Sequence, residues 1–356
     1  MNPIPLINRT MLLAGAPFLG IIVFLMIFPL AVQLPERAET AFSRIDLSPA
    51  LEETLAKLDK TQSDAAQTRA TVERFYELYA KSNEAMSSML KTAEAASQRP
   101  TAIFEERVAR HLGGKVSRST STDNIDLKLY YFSEAKYNGY GLKVDLKSDK
   151  AMQMVLGNDQ VGGSETTLSA AKRYGAVAGV NAGGYADDPK TGKRYPLSTT
   201  MYNGKYVYGF EPTFDDLAFV GMSKDRKLIG GKFSRQADLD KLNPDFGATF
   251  VPVLLQNGKK QPLPAAWQST RAPRTVVGSF KNDQLLFLVV DGYDENGSSG
   301  ATLAELQDKL VALGVKDAYN LDGGGSSSLV YEGQVINKPS DKGRLRQLPT
   351  HFLFFK

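Results

Sequence analysis

Residues 320 to 328 read Asn-Leu-Asp-Gly-Gly-Gly-Ser-Ser-Ser, which sets one carboxylate, Asp322, against three glycines and three hydroxyls. Glycine loses more conformational freedom on folding than any other residue, so a run of three belongs where the chain turns through positive φ or a ligand approaches the main chain. Amides exposed in such a loop can cradle an anionic oxygen. A flexible Gly/Ser linker is the competing reading. Against it, the strand-like Ser328-Leu329-Val330-Tyr331 follows at once, which makes the loop a tight connection inside a sheet.

Four further clusters sit where apolar runs stop or start. In Val180-Asn181-Ala182-Gly183-Gly184-Tyr185 a strand ends at an amide able to donate to a sugar hydroxyl or phosphate oxygen. In Arg271-Ala272-Pro273-Arg274-Thr275 a guanidinium opens a strand, and its planar fork suits bidentate phosphate binding. Leu286 to Val290 delivers Asp291 to a strand end, and Gly297-Ser298-Ser299-Gly300 precedes a helix whose N-terminus favours an anion. Each has a structural counterpart: Asn181 as a turn former, Arg274 as partner of Asp291 or Asp322, the serines as helix caps. Together they supply two acids, an arginine, an amide and Gly/Ser loops, the parts of an anionic-sugar site. Paired carboxylates are what glycoside hydrolysis uses, one as acid and the other as base or nucleophile.

Composition narrows the chemistry. The 356 residues include no cysteine and only two histidines, His111 and His351, which removes thiolate nucleophiles and His-rich metal sites. His351 alternates with Phe352, Leu353 and Phe354 in an apolar last strand, a structural setting, so acid–base work falls to carboxylates. Lys+Arg 43 against Asp+Glu 39, net +4 with no long basic run, argues against nucleic acid as a partner. No cofactor is implied. Asp291, Asp322 and Asn181 offer oxygens to a divalent cation such as Ca²⁺ or Mg²⁺; three dispersed oxygens do not make a site on sequence grounds, and a cation requirement stays open. The glycine loop also lacks the Gly-Lys-Ser/Thr ending of a nucleotide-binding P-loop.

The elements that must carry these residues follow from periodicity. Met11 to Val32 contains no charge, and about 22 apolar residues suffice to cross a bilayer core. A cleaved signal peptide is the alternative, yet Gln33 to Ala38 lacks a small-x-small site. With Arg9 ahead of it, the run predicts a single-pass cell-membrane anchor and an extracytoplasmic C-terminal bulk. From Ser48 to about Gln98 the pattern is helical. Leu51, Leu55, Leu58, Ala65, Val72, Tyr76, Tyr79, Met86 and Leu90 form a heptad-like seam interrupted by Gln62, Arg69 and Asn83. Such a helix, about 75 Å long, serves as a stalk, as the coiled coil of a homo-oligomer, or folds back on its own domain. Pro100 is expected to end it, with a short helix over 103–112 and a polar linker over 113–124. Beyond Ile125 strands dominate, with helices expected at Thr167 to Tyr174 and Thr302 to Leu313. The fold class expected is α+β, a globular domain on a large mixed sheet with flanking helices. The division is 1–36 tip and anchor, 37–112 stalk, 113–124 linker and 125–356 catalytic domain.

Asn181-Ala182-Gly183-Gly184-Tyr185, Arg271 to Gly278, Asp291-Gly292, Ser298-Ser299-Gly300 and Asn320 to Ser328 resemble, in order, the signatures of the phosphodiester glycosidase family. The resemblance covers roughly 125–356. It implies hydrolysis of the bond between an anomeric carbon and phosphate in a sugar-1-phosphodiester, as in enzymes that uncover mannose phosphate and in bacterial exopolysaccharide proteins. It implies as site residues Asn181, Arg274, Asp291, Ser299, Asn320, Asp322, Gly324 and Ser326, with Asp322 and Asp291 catalytic and Arg274 clamping phosphate. The double glycine before Tyr185 departs from the family pattern, and the stretch Lys342 to Leu348 matches it only loosely; there Arg344 and Arg346 either contact phosphate or face solvent. The expected partner is a phosphorylated glycan at the cell surface. The alternative function is a non-catalytic surface glycan-binding scaffold oligomerised by its coiled coil.

Overall fold

The computed structural model describes Val23, Met26 and residues 48–292 and 299–356. Two compact units divide the chain, 1–89 and 90–356. The expected span over 11–32 lies outside the described residues apart from Val23 and Met26. Among the described residues no helix is long and apolar enough to cross a membrane. The helix α1 runs Ser48–His111. In the first unit its seam stands in solvent: Leu51, Leu55, Leu58, Tyr76, Tyr79 and Met86 are all more than half exposed.

Proline at 100 does not end α1, contrary to expectation. The last turns are held by tertiary packing, which outweighs the lost N–H. Phe104 meets Phe280 edge-on at 4.9 Å, Val108 is fully buried, and Glu105 accepts hydrogen bonds from Lys128 at 2.9 Å and Lys143 at 2.5 Å.

In chain order the first strands are β1 Val116–Ser121, β2 Ile125–Ser133, β3 Asn138–Leu146, β4 Met152–Leu156, β5 Ala178–Asn181, β6 Tyr185–Asp187 and β7 Arg194–Pro196. Then come β8 Met201–Tyr202, β9 Lys205–Tyr206, β10 Ala218–Ser223, β11 Leu228–Gly231, β12 Pro244–Phe250, β13 Val253–Gln256 and β14 Lys259–Lys260. The last are β15 Arg274–Ser279, β16 Leu285–Val290, β17 Asp317–Leu321, β18 Leu329–Tyr331, β19 Gln334–Val335 and β20 Thr350–Phe354. The principal helices of the second unit are α2 Thr167–Tyr174 and α3 Leu303–Leu313. The stretch 113–124, expected as a linker, thus carries β1, an edge strand whose polar, mostly exposed side chains give it a linker's composition.

The single large mixed sheet expected from the sequence is instead three main sheets. One has eight strands, ordered β1-β2-β3-β16-β15-β17-β13-β14; two have five, β11-β10-β12-β8-β9 and β19-β18-β5-β20-β4. Every ladder among the described residues is antiparallel, as in β15 with β16 and β15 with β17. A strand–helix–strand crossover such as β16–α3–β17 is where a parallel pair could form. Those two strands do run parallel, but β15 lies between them, so no parallel ladder forms.

The eight-stranded sheet is buried on both faces. Leu285, Phe287 and Val289 of β16 join one core with Val180 and Phe352 of a five-stranded sheet, while Leu286, Leu288 and Val290 join another with Leu303, Leu306, Leu310 and Leu313 of α3. A strand covered on both sides reads as a continuous apolar run, which β16 does. On the outer side of the β5–β20 sheet α2 packs Ala170 and Ala171 against Val155 and Leu353. The second unit is therefore layered helix, sheet, sheet, helix. Local signals fix both helices: Thr166 caps α2, and Thr302 with Glu305 forms a capping box on α3, each helix closing at a glycine in the left-handed region.

Candidate active site

The register of the central strands places the glycine loop. Arg274 faces Val290 and Thr275 faces Leu321, so β16 and β17 run out to Asp291 and Asp322 at one end of the sheet with β15 between them. Two strand spacings separate the two acids at the backbone, about 10 Å. Opposed residues share a face. Thr275 and Leu321 therefore look towards the β5–β20 sheet, and Arg274 looks towards α3.

Asp322 follows β17 directly, half-buried, and is succeeded by a 3-10 turn at Gly324–Ser326. Loss of solvent pushes its carboxyl up to about 6, against the pull of the Ser326 hydroxyl, the Arg346 charge and the Gly323 amide. That environment suits an acid–base group working near neutrality. The loop's glycines have separate reasons. Gly324 takes φ 58° with open space above it. A Cβ on Gly325 would run into the Arg346 guanidinium, which lies directly over the main chain.

The loop amides are largely spent inside the protein rather than offered as a cradle. Gly324 donates to the Pro273 carbonyl at 2.8 Å, Ser326 to Gly323 and Ser327 to Gly324. Ser328 donates to Asn181 Oδ1 at 3.0 Å. Anion-binding capacity comes instead from Arg346, whose Nη1 lies 3.4 Å from Ser326 Oγ and whose Nε pairs with Asp341 at 3.1 Å. The Tyr185 hydroxyl sits beside the same guanidinium, and Arg194 stacks on the Tyr185 ring at 5.1 Å.

The sequence-predicted residues fall into groups. Asp322, Gly324 and Ser326 come together, with Arg346. Asn181 is adjacent but fully buried, and its amide is occupied: Nδ2 donates to the Asp322 carbonyl at 2.6 Å while Oδ1 accepts from Thr275 Oγ1 at 2.9 Å and from Ser328. Asp291 is buried and accepts from the Lys338 amide at 2.8 Å. The neighbouring Asn337 bonds the Ser327 carbonyl and the Leu329 amide, so one short segment ties Asp291 to the glycine loop. Ser299 lies against Gly292, next to Asp291. Thr302 takes the capping role for α3.

Arg274 and Asn320 sit on the α3 face. Arg274 passes beside Gly323, donates to the Thr270 carbonyl at 2.8 Å and stacks over Trp267 at 5.3 Å. Asn320 donates to the Val251 carbonyl at 2.6 Å, and its Oδ1 is buried without a partner among the described residues. His351 is buried on β20 beside Thr167, and lost hydration lowers its pKa to about 4, so it stays neutral. Among the described residues no three acidic or histidine side chains converge to hold a metal. Arg346, Tyr185 and Arg194 were not among the predicted site residues. The sequence offers Arg346 only as a phosphate contact or a solvent-facing residue in the loosely matched stretch Lys342 to Leu348.

Beside the loop lies a cleft of about 440 Å³ lined by Ser164, Arg194, Asp341, Lys342, Arg344 and Arg346. Two larger clefts, about 640 and 960 Å³, flank α3 and contain none of the predicted site residues.

The site thus sets a raised carboxyl and a guanidinium on a glycine loop at the end of a sandwiched antiparallel sheet, a class of α+β domain with a carboxylate–guanidinium site. The chain belongs to the phosphodiester glycosidase family, whose model matches residues 174–355. It is 32% identical over 140 residues to bovine N-acetylglucosamine-1-phosphodiester alpha-N-acetylglucosaminidase, covering 35% of this chain and 26% of that one. It is 29% identical over 189 residues to the SPbeta prophage-derived uncharacterized protein YomE of Bacillus subtilis (strain 168), covering 50% and 28%. The matches thus span about a quarter of these relatives' length. The fold is similar to that of the zebrafish N-acetylglucosamine-1-phosphodiester alpha-N-acetylglucosaminidase catalytic domain, auto-inhibited by pro-peptide, at TM-score 0.53 and 22% identity, covering 68% of this chain and 86% of that one.

Proposed function

We propose that the chain hydrolyses glycosyl phosphodiesters at the bond between the anomeric carbon and phosphate. One observation carries the reading: Asp322, with its carboxyl pushed up to about 6, shares the glycine loop with Ser326 and the Arg346 guanidinium. Water adds to the anomeric carbon as the carbon–oxygen bond to phosphate breaks, and the bonding pair leaves with the phosphate. The proton released by the water passes to a site carboxylate, a task for which Asp322 is matched. Arg346 and Ser326 meet the charge that develops on the departing oxygen. Asp291, held by the 337–338 segment, is the second carboxylate.

The test is release of free sugar by the full-length chain from a panel of sugar-1-phosphodiesters, with Asp322→Asn and Arg346→Ala alongside. The reading requires release by the wild type and a loss of 10²-fold or more, on the order expected for removal of a positioned acid–base group, in Asp322→Asn. No release from any panel member sinks it.

Residues 11–32 act in this proposal as a membrane anchor with the 125–356 domain on the outer face, supported by the uncharged run and Arg9 before it. The substrate is then a cell-surface glycan or its precursor. The exposed seam of α1, with Leu55 52% and Tyr76 73% exposed, supports self-association of the stalk.

A further inference from the structure

We propose that the cleft beside the glycine loop binds a second anionic group of the substrate, so that the preferred substrate is a glycosyl phosphodiester whose aglycone carries a further phosphate. The proposal rests on the glycosidase reading and names the substrate class of that site.

The cleft's charge is one-sided. Arg194, Lys342, Arg344 and Arg346 line it, against Asp341 alone. Asp341 is already engaged by Arg346, and Arg194 Nε is held at 2.9 Å by Asp187 outside the cleft. Lys342 and Arg344 are exposed and pair with no carboxylate among the described residues. They flank Gly343 in a tight turn closed by the Asp341–Arg344 bridge, with Lys342 at φ 52° and Gly343 at φ 72°. Cations gathered in a concavity without counter-ions oppose folding by self-repulsion, and a bound anion relieves it.

The cleft is continuous with the chemistry. Arg346 lines it and also lies on Gly325 and Ser326, beside Asp322. A phosphate held by Arg346 next to Asp322 therefore borders the cleft that Lys342 and Arg344 also line. A volume of about 440 Å³ exceeds what one phosphate fills and lies within the usual span of ligand pockets, about 300–1,000 Å³. A solvated basic surface needs neither the concavity nor the continuity with the loop.

The experiment compares two sugar-1-phosphodiesters with the same sugar, one with glycerol as aglycone and one with glycerol phosphate, cleaved by the full-length chain. Each close ion contact at a water-exposed site is worth up to about fivefold. The glycerol phosphate compound should thus show kcat/KM higher by roughly 2- to 25-fold at low salt, mainly through KM. The advantage should shrink at high ionic strength, where screening shortens to about 3 Å at 1 M. In the Lys342→Ala/Arg344→Ala double variant, with an unchanged melting temperature, the ratio between the two substrates should fall towards one. A ratio near one in the wild type, or a preference unchanged in the double variant, overturns the proposal. If neither compound is cut, the glycosidase reading fails by itself. Calorimetry then decides the cleft: glycerol 1,3-bisphosphate binding more tightly than glycerol 1-phosphate, with the difference lost in the double variant, supports it, and equal binding overturns it. Loss of binding to anionic-lipid vesicles in the double variant, with the substrate ratio intact, would assign the cations to a membrane surface and likewise overturn it.

Discussion

Replacing Asn181 by alanine tests whether this residue holds the loop or touches the substrate. The side chain is fully buried and makes three hydrogen bonds, to the Asp322 carbonyl, the Thr275 hydroxyl and the Ser328 amide. Thr275 and Ser328 are themselves buried. Removing the amide leaves one acceptor and two donors without partners, at about 1–3 kcal/mol for each group that stays unpaired. Allowing for partial re-pairing, the loss is about 3–6 kcal/mol, a large share of the roughly 5–15 kcal/mol that stabilises a domain. At about 2–4 °C per kcal/mol for a domain of this class, the melting temperature should fall by roughly 10 °C. Asn181→Asp keeps the acceptor for Thr275 and Ser328 but sets a carboxylate oxygen against the Asp322 carbonyl, now 2.6 Å from Nδ2. It should be comparably destabilised and less active. Thermal unfolding followed by circular dichroism, beside sugar-release kinetics, separates the two roles. An Asn181→Ala protein that melts like the wild type while KM alone rises would refute the reasoning, since that is the signature of a lost substrate contact.

Four other perturbations have outcomes set by local geometry. Because the Asp322 carboxyl is raised to about 6, its ionised form opposes folding above that pH and the penalty disappears below the ordinary carboxyl value. Asp322→Asn should therefore gain about 1–3 kcal/mol of stability at pH 7 but little near pH 4, seen by urea unfolding, while activity is lost; equal stability differences at both pH values would contradict the assignment. In the wild type, kcat/KM should fall as the pH drops through about 6 if Asp322 accepts the proton. Gly325→Ala forces a methyl into the Arg346 guanidinium and should lower activity far more than Gly324→Ala, which meets open space and bears only the positive-φ strain of about 1 kcal/mol. Glu105→Ala should destabilise the 90–356 unit by about 3–5 kcal/mol in chemical denaturation, because Lys143, 4% exposed, loses its carboxylate partner.

Local rules carried the sequence furthest. The helix over Thr167 to Tyr174 and the helix opened by Thr302 are written in caps and closing glycines, and β16 in six consecutive apolar residues. Asp322 was legible because its context is contiguous: strand, acid, glycines, hydroxyls. What failed was long-range. The insertion of β15 between β16 and β17 depends on which edges meet after collapse, and the passage of α1 through Pro100 depends on Phe104, Val108 and Glu105 finding the sheet. Arg274 and Asn181 were found as residues, but their faces were set by register: one turned towards α3, the other was consumed by the backbone it supports.

Arg346 shows why the missing part matters to function. A carboxylate at Asp322 and an incoming phosphodiester repel each other by about 4 kcal/mol at 4 Å for an effective dielectric constant of 20, so an acid alone on a glycine loop would exclude the substrate it is to act on. One guanidinium against the loop offsets one such charge, and Arg346 is already shared with Asp341. Lys342 and Arg344 in the adjoining cleft supply the surplus. The glycines let this cation lie on the main chain, Asn181 and Asn337 hold the loop beneath it, and the Asp322 carboxyl, pushed up by burial, keeps a guanidinium beside it.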